Sequence, residues 1–264
     1  MNVFMFSIAF PLLLLIAPVP AVAQIESIQA SPDVTLDLAG VPVTDEDVAT
    51  DDLSGIVVPL DVGMIPPNAD LSLYHQLDNG DDLLAFDITV ELPGAVIARP
   101  TDVIRHSGGA YSVEFDGSAN GVPAGARLDA LSADADGDLL MSFDTTVALP
   151  GVTAADEDVV EFDGADFSLL FDGSAAGLSP AVDLDALHFA PGIGRLYVSF
   201  DTGGTIDGTN FSDEDLLEHD PVGGNWSLAY DGSTEHGNWI AADLDAAFIA
   251  FLADFIFKDG FENL

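Results

Sequence analysis

Short runs of apolar residues, separated by turn residues, follow one another along most of this chain. In one stretch they predict four strands, at 128–133, 138–147, 157–162 and 166–172, with Gly, Asp or Pro in the turns between them. Runs such as "LLMSF" are apolar at every position, which is typical of strands buried on both faces of their sheet. The pattern therefore predicts an all-β protein built from short strands.

The four-strand pattern recurs at a nearly constant spacing. Its full copies begin at Leu71, Leu128 and Leu184, which are 57 and 56 residues apart. Self-similarity at a fixed period is the sequence signature of propellers and solenoids, in which each repeat is one supersecondary unit. Four-stranded units of about this length are typical of the blades of a β-propeller.

The two ends of the repeat region complement each other. Segment 34–63 matches the second, third and fourth strands of a blade, with the second strand at 34–40, and segment 243–251 matches an isolated first strand. Together they would complete a fourth blade and close the ring, which removes sheet edges that are otherwise free to pair with other chains. We therefore predict a four-bladed β-propeller over 34–251. An open β-solenoid is the alternative, but it gives no reason for a split blade.

The segments outside the repeat predict export. Residues 1–23 contain an apolar run that ends in Ala21-Val22-Ala23, which is typical of a secretory signal peptide with its cleavage site. An uncleaved membrane anchor is the alternative. Residues 252–264 form a C-terminal tail, which we interpret as a sorting or attachment signal. We expect a secreted or cell-surface protein, and because the chain has no cysteine, no disulfide stabilises it.

Acidic residues dominate the charge of the chain. The 46 Asp and Glu residues face only five Lys and Arg residues, so that the formal net charge is −41. Nucleic-acid binding needs a basic surface, and this composition argues against it. A hydrophobic fraction of 48% is too high for a disordered acidic tail. We expect a monomer whose partner is a protein or glycan ligand.

Aspartate recurs at equivalent positions of the four units. The sets are Asp37, Asp87, Asp144 and Asp201 in the second strand, Asp47, Asp102, Asp158 and Asp215 in the third, Asp61, Asp116, Asp172 and Asp231 at the end of the fourth, and Asp129, Asp185 and Asp245, with Ser72 as the exception, in the first. Aspartate at a turn commonly accepts hydrogen bonds from nearby backbone N–H groups. We expect this turn-capping role for the fourth-strand set.

The first-strand set is the candidate metal site. First strands line the central channel of a propeller, so Asp129, Asp185 and Asp245 would point toward one axis. At a separation of ~6 Å and an effective dielectric of ~20, two such charges repel by about 3 kcal/mol. A calcium ion, which favours about six to eight oxygen ligands, would balance them. The sequence therefore predicts Ca²⁺ in the channel; the alternative is that these carboxylates bind neighbouring backbone amides.

The segment "SADADGDLL" (132–140) raises the question of a second calcium site. It lacks the spacing of an EF-hand loop, because Gly137 comes one position early and no Glu occupies the twelfth position. The equivalent segments are "HQLDNGDDLL" (75–84) and "HFAPGIGRLY" (188–197); both keep a glycine turn, but the second has no acid at all. We therefore predict a hairpin turn here.

Two classes of function are compatible with this pattern. The first is a non-catalytic binding or surface-structural module. The second is a calcium-dependent hydrolase of an ester, lactone or phosphoester, in which the ion polarises the substrate. An enzyme should break the repeat at its catalytic residues, and the only breaks of this kind are Ser72 and the pair Glu235 and His236 in the longer loop "STEHGNW". We favour the binding module.

Several short motifs resemble a known group of proteins. The pieces "LDAL", "SFDT", "DEDV" and "FDGS" resemble a β-propeller-like repeat of exported proteins from gram-negative bacteria, over roughly 34–250. The ending "FIFKDGFENL" is similar to the F-x-D-G-F-E tail of many such proteins, here from Phe257 to Glu262. The resemblance implies export and a sorting or attachment tail, but no activity. "LDAAF" (244–248) is also similar to the opening of a hemopexin-type repeat, whose four-bladed ring holds ions in its channel.

Overall fold

The computed structural model describes residues 24–252, and short strands make up almost all of their regular secondary structure. The strands are β1 (Ile25–Pro32), β2 (Leu36–Leu38), β3 (Val41–Val43), β4 (Ala49–Asp51), β5 (Val57–Pro59), β6 (Leu73–Gln76), β7 (Asp82–Ala85), β8 (Val90–Leu92), β9 (Val96–Ala98), β10 (Val103–Ser107), β11 (Ala110–Phe115), β12 (Leu128–Ala133), β13 (Leu139–Phe143), β14 (Val147–Leu149), β15 (Val152–Ala154), β16 (Val159–Phe162), β17 (Phe167–Phe171), β18 (Leu184–Ala190), β19 (Arg195–Phe200), β20 (Gly204–Ile206), β21 (Thr209–Phe211), β22 (Leu216–Asp220), β23 (Asn225–Tyr230) and β24 (Leu244–Phe251). A short helix, α1 (Gly232–Glu235), and a 3₁₀ turn at Trp239–Ala241 precede the last strand. Neither is long and apolar enough to cross a membrane, and the signal peptide and nearly all of the tail lie outside the described residues.

Four antiparallel sheets of four strands each form the blades of a propeller. In order from the first to the fourth strand, blade 1 is β6-β7-β10-β11, blade 2 is β12-β13-β16-β17, blade 3 is β18-β19-β22-β23 and blade 4 is β24-β1-β4-β5. Each first strand contacts the first strands of the two neighbouring blades, so that β6, β12, β18 and β24 surround a common axis. The predicted four-bladed β-propeller is confirmed.

The two ends of the chain meet in blade 4, as the split repeat predicts. Strand β24 pairs with β1 from Leu244 opposite Pro32 to Phe251 opposite Ile25. Beyond this ladder, the Leu252 N–H donates to the Gln24 carbonyl oxygen at 2.9 Å. The C-terminal strand therefore closes the ring against strands from the N-terminal end.

The predicted position of the second strand of blade 4, at 34–40, is wrong. That strand is β1, which ends at Pro32, so the ring begins at Ile25 rather than at residue 34. Residues of the 34–40 segment instead enter a two-stranded hairpin, β2–β3. The pattern misled because Leu36 and Leu38 are buried on either side of an exposed Asp37, and a hairpin shares this alternation with a blade strand.

A hairpin of this kind follows the second strand of every blade. The other three are β8–β9, β14–β15 and β20–β21. The strand expected at 138–147 is therefore divided, since β13 ends at Phe143 and Val147 already belongs to the hairpin. The second strand of each hairpin contacts the fourth strand of its blade, and the sequence pattern does not distinguish the hairpin from the blade itself.

The core lies between neighbouring blades. In β13, Leu139, Met141 and Phe143 are all buried, and so are Leu140 and Ser142 on the opposite face. This sheet buries both faces because it packs against a blade on each side, which explains the continuous apolar runs of the second strands. Ser142 is accommodated because its hydroxyl donates to the Asp158 carbonyl oxygen at 2.9 Å.

One glycine in each of three blades lies against the backbone two residues before the third strand. A Cβ atom at Gly173 would lie 2.3 Å from the Glu157 carbonyl oxygen, and equivalent contacts surround Gly117 and Gly232. We expect Gly173→Ala to destabilise the protein by about 1–3 kcal/mol, because the backbone must shift to admit the methyl group. Thermal unfolding measures the effect. The matched control is Gly192→Ala, where no atom lies within 4 Å. Equal midpoints for the two variants would contradict the close contact.

Candidate functional site

An acidic cavity lies at the mouth of the channel where the first strands begin. Asp129, Asp185 and Asp245 are the second residues of β12, β18 and β24, and Ser72 immediately precedes β6. All four line one cavity of about 320 Å³. The fold thus brings together the three predicted metal-ligand residues, and Ser72 takes the fourth place around the axis.

Further aspartates surround this inner set, and the sequence analysis missed them as site residues. Nine aspartates and one arginine line the cavity, namely Asp33, Asp70, Asp87, Asp129, Asp183, Asp185, Asp201, Asp243, Asp245 and Arg127. Asp70, Asp183 and Asp243 each lie two residues before an inner position. Alternate residues of a strand face the same side, and this spacing was the signal that could have found them.

Aspartates at the ends of the second strands fix the backbone just before each first strand. Four side chains at the ends of the second strands accept a hydrogen bond from the backbone N–H two residues before the inner position. These bonds are Asp70 N to Asp87 Oδ1 at 3.2 Å, Arg127 N to Asp144 Oδ1 at 2.8 Å, Asp183 N to Asp201 Oδ1 at 2.9 Å and Asp243 N to Asp33 Oδ1 at 2.8 Å. The same hydrogen bond therefore sets the geometry of the cavity wall in all four blades.

The second-strand set contains Asp33 and not Asp37, which corrects the sequence-based assignment. Asp37 lies in the hairpin, where its Oδ1 accepts the Gly40 N–H at 2.8 Å. The error came from aligning 34–40 with a blade strand. Asp33 lies 14 residues before Asp47, and Asp144 lies at the same distance before Asp158. Asp201 lies 14 residues before Asp215 and Asp87 lies 15 before Asp102, so a nearly constant separation was available in the sequence.

Carboxyl groups pair across the boundaries between blades. The side chains of Asp129 and Asp183 lie within hydrogen-bond range, as do those of Asp185 and Asp243 and those of Asp245 and Asp70. A hydrogen bond between two carboxyl groups requires that one of them keep its proton. In the absence of a cation, each pair therefore holds a proton that an isolated carboxylate would have lost at neutral pH.

Burial raises the pKa of the inner aspartates. It is the largest cause for each, and the negative charge of neighbouring aspartates adds to it. The pKa of Asp129 rises to about 8, that of Asp185 to about 10 and that of Asp245 to about 9. Burial likewise raises the pKa of Asp183 to about 6 and those of Asp70 and Asp243 to about 7. A positive charge in the cavity would reverse these shifts.

The boundary between blades 1 and 2 breaks the symmetry of the site. Ser72 and Arg127 replace the carboxyl pair there, and Arg127 Nε donates to Asp144 Oδ2 at 3.0 Å. Arg127 is thus paired with an aspartate that does not line the cavity. The Ser72 hydroxyl is buried here without a hydrogen-bond partner among the described residues, and so is Asp70 Oδ1 at the boundary between blades 4 and 1. The cavity therefore has unsatisfied oxygen atoms on both sides of blade 1.

The other aspartate sets cap backbone amides. In the fourth-strand set, Asp172 Oδ1 accepts the Ala175 N–H at 2.8 Å, and Asp61, Asp116 and Asp231 act in the same way. The turn-capping prediction is confirmed. In the third-strand set, Asp158 accepts the Ala155 N–H at its Oδ2 and the Gly173 N–H at its Oδ1, both at 2.9 Å. The carboxylates of these two sets therefore stabilise the backbone of the turns.

The segment "SADADGDLL" forms the predicted turn. Asp134 Oδ1 accepts the N–H groups of Asp136, Gly137 and Asp138 at 2.9–3.0 Å. Asp134, Asp138 and Glu161 also offer oxygen atoms within 4.8 Å of one another. They form a partly exposed acidic cluster, which we call the acidic turn.

The residues suggested for a hydrolase lie in different places. Ser72 lines the acidic cavity, whereas Glu235 and His236 lie outside it, in α1 and at its C-cap. His236 Nε2 lies 2.9 Å from Asp51 Oδ2, and Tyr230 donates to the same oxygen at 3.4 Å. The longer loop thus ties the end of blade 3 to β4 in blade 4, which is a structural contact.

No family model matches the sequence, and no curated protein matches it either. Among solved structures, the chain is similar to YCF48 bound to D1 peptide (12% identity, TM-score 0.34, 81% of this chain and 56% of that chain). It is also similar to the extracellular domain of the putative one component system BT4673 from B. thetaiotaomicron (10%, 0.37, 80% and 30%). A third is a catalytically inactive virginiamycin B lyase from Staphylococcus aureus with quinupristin (8%, 0.33, 78% and 70%). The chain thus spans little more than half of the first of these, and at such low identities and TM-scores nothing about ligands or activity is transferred to it.

Proposed function

We propose that this protein is an exported, non-catalytic β-propeller, a secreted or cell-surface binding or structural module whose ring is stabilised by calcium at the acidic mouth of its channel. The proposal of a calcium ion rests on the composition of the cavity, which is lined by nine aspartates and a single arginine. Calcium favours about six to eight oxygen ligands, and carboxylates with water supply them. The cavity of about 320 Å³ has room for such an ion with water, since a water molecule occupies about 30 Å³ in the liquid.

The geometry supports a role for the ion in stability rather than in catalysis. Asp129, Asp185 and Asp245 come from three different blades. An ion bound between them would join those blades and remove the repulsion between their carboxylates. The hydrolase alternative has no observation in its favour, because Ser72 does not meet Glu235 and His236 in the cavity. The partner of the module is expected to be a protein or glycan, bound by the monomer.

Thermal unfolding of residues 24–264 tests this proposal. The midpoint is measured in excess EDTA, in millimolar calcium, and in magnesium and sodium at matched ionic strength. Calcium at 100 times its dissociation constant adds about 2.7 kcal/mol of stability, which corresponds to a rise of roughly 5–11 °C for a domain of this size. We expect this rise with calcium only.

Two sets of substitutions separate a specific site from general screening of charge. Asp129→Asn with Asp185→Asn and Asp245→Asn should abolish the calcium effect. The matched control changes the acidic turn, by Asp134→Asn, Asp138→Asn and Glu161→Gln, which removes the same number of charges and should leave the effect intact. An equal rise in every salt, or an equal loss in both variants, would show that the acids are only a screened surface.

A further inference from the structure

A second cavity lies at the opposite end of the first strands. It has a volume of about 640 Å³, within the range of about 300–1,000 Å³ that is usual for small-ligand sites. Partly or fully exposed apolar side chains converge on it, namely Leu77, Phe189, Ile193, Phe248, Phe251 and Leu252. Ile193 is 40% exposed and Leu252 is 44% exposed. Such a concentration of open apolar surface is unexpected on a chain of net charge −41.

Two histidines contribute to the wall of this cavity. His75 and His188 are each only 5% exposed, and their rings stack with centroids 6.1 Å apart. The ring of Phe248 meets both edge-on, at 5.3 Å from His75 and 4.9 Å from His188. Burial lowers the pKa of His75 to about 4 and that of His188 to about 3, so both imidazoles are neutral at pH 7. This part of the wall is therefore aromatic and uncharged.

The hydrogen bonds of these histidines are incomplete. The Ser132 hydroxyl oxygen accepts the Phe189 N–H at 2.9 Å and lies 3.4 Å from His75 Nδ1. If the hydroxyl donates to Nδ1, Nε2 of His75 carries the proton of the neutral ring. His188 Nδ1 is buried without a hydrogen-bond partner among the described residues. Because Nδ1 is closed to solvent, a ligand in the cavity would hydrogen-bond to this imidazole through Nε2.

We propose that this cavity binds a small, neutral aromatic ligand that carries one hydroxyl or N–H group, packs its ring against Phe248 and Phe251, and hydrogen-bonds to the imidazole of His188. Aromatic rings favour edge-to-face contacts of the kind already present around Phe248. Asp78, Asp134 and Asp136 line the cavity together with one cation, Arg105. Arg105 lies 3.6 Å from both Asp81 and Glu114, so its charge is already compensated. The surroundings therefore disfavour an anion.

Fluorescence titration with 2-naphthol at pH 7 tests the proposal on residues 24–264. Naphthalene is the matched probe without the hydroxyl, and 2-naphthoate is the matched anion. We expect saturable binding of 2-naphthol with one site per chain, and weaker binding of 2-naphthoate. The key variant is His188→Phe, which keeps an aromatic ring. It should fold, because Phe248 occupies the equivalent position of blade 4.

Because His188→Phe removes one hydrogen bond, we expect this variant to bind 2-naphthol about threefold to tenfold more weakly than the wild type does. Its affinity for naphthalene should be unchanged. The matched control is His219→Phe, since His219 is also buried with an unpartnered Nδ1 but lies outside the cavity. It should leave both affinities unchanged. Unaltered 2-naphthol binding by His188→Phe, or equal losses in the two variants, would overturn the proposal.

A shortened chain that ends at Leu252 tests for another occupant. It keeps every strand of the ring, and Leu252 itself lines the cavity. Equal binding of 2-naphthol by the long and short chains supports a free ligand site. Binding by the short chain alone would overturn the proposal, because residues 253–264 would then be what fills the cavity. Absence of saturable binding to both chains would overturn it as well.

Discussion

A chain that ends at Ala242, and so lacks β24, is expected to lose its cooperative unfolding transition. This strand is the first strand of blade 4, and it contacts β18 and β6 in the neighbouring blades as well as β1. Ala246, Ala247 and Ile249 are each at most 2% exposed. Without them the channel side of the ring opens and β1 becomes an unpaired edge, which promotes aggregation. Circular dichroism melting and size-exclusion chromatography measure both effects.

The matched control is the chain that ends at Leu252, which should melt like the full chain. Within the full chain, Ile249→Asp should also lower the free energy of unfolding by several kcal/mol, because it buries an unpaired charge in the core.

A circular permutant provides the opposite test. Since Leu252 N and Gln24 O are 2.9 Å apart, a short linker between these ends, with a new opening at exposed Gly125, should preserve the fold. Cooperative melting of the chain that ends at Ala242, at an unchanged midpoint, would refute this account of ring closure.

The combined substitutions Asp129→Asn, Asp185→Asn and Asp245→Asn are expected to stabilise the metal-free protein at pH 8, although they remove its response to calcium. Asparagine keeps the shape of the side chain without its charge. In EDTA the wild-type protein must either hold protons on these groups or bear their repulsion. The triple variant should therefore have the higher unfolding midpoint in EDTA, and the wild type should have the higher midpoint in calcium. Thermal unfolding measures both.

The pH dependence follows from the raised pKa values. The folded-state pKa values of Asp129, Asp185 and Asp245 are about 8, 10 and 9, whereas aspartate in an unfolded chain titrates near ~3.9. Between these limits the folded state binds more protons, so stability falls as the pH rises, by at most about 1.4 kcal/mol per pH unit and group. Wild-type protein in EDTA should lose stability from pH 5 to pH 9, and the triple variant should lose less.

The variant of the acidic turn again serves as the control, and it should show the same pH dependence as the wild type. The pKa of Asp138 is also raised, but this side chain lies in a surface turn where solvent screens its charge. A triple Asn variant of the channel that is less stable than the wild type at both pH 5 and pH 8 in EDTA would contradict the prediction. The carboxylates would then serve the fold through hydrogen bonds that asparagine cannot replace.

Features that repeat locally could be predicted from the sequence. The repeat from Leu71, Leu128 and Leu184 indicates the blades, and the isolated first strand at 243–251 indicates the closure. The turn at 132–140 and the caps at the ends of the fourth strands were also predicted, because an aspartate and the N–H groups it binds are only two to four residues apart. The alignment of the inner aspartates followed from their shared position in the repeat.

Other features depend on contacts that no local pattern encodes. A hairpin and a blade strand share the same alternation, so the strand pairing was needed to identify β1 as the second strand of blade 4, although the separation of Asp33 from Asp47 already pointed to its aspartate. The carboxyl pairs and the aromatic cavity join residues from different blades, such as Asp129 with Asp183. The sequence by itself determined the repeat, the caps and the closing strand, because each is local or periodic. Only the tertiary structure decided which side chains share a cavity, because that depends on how the blades pack around the axis.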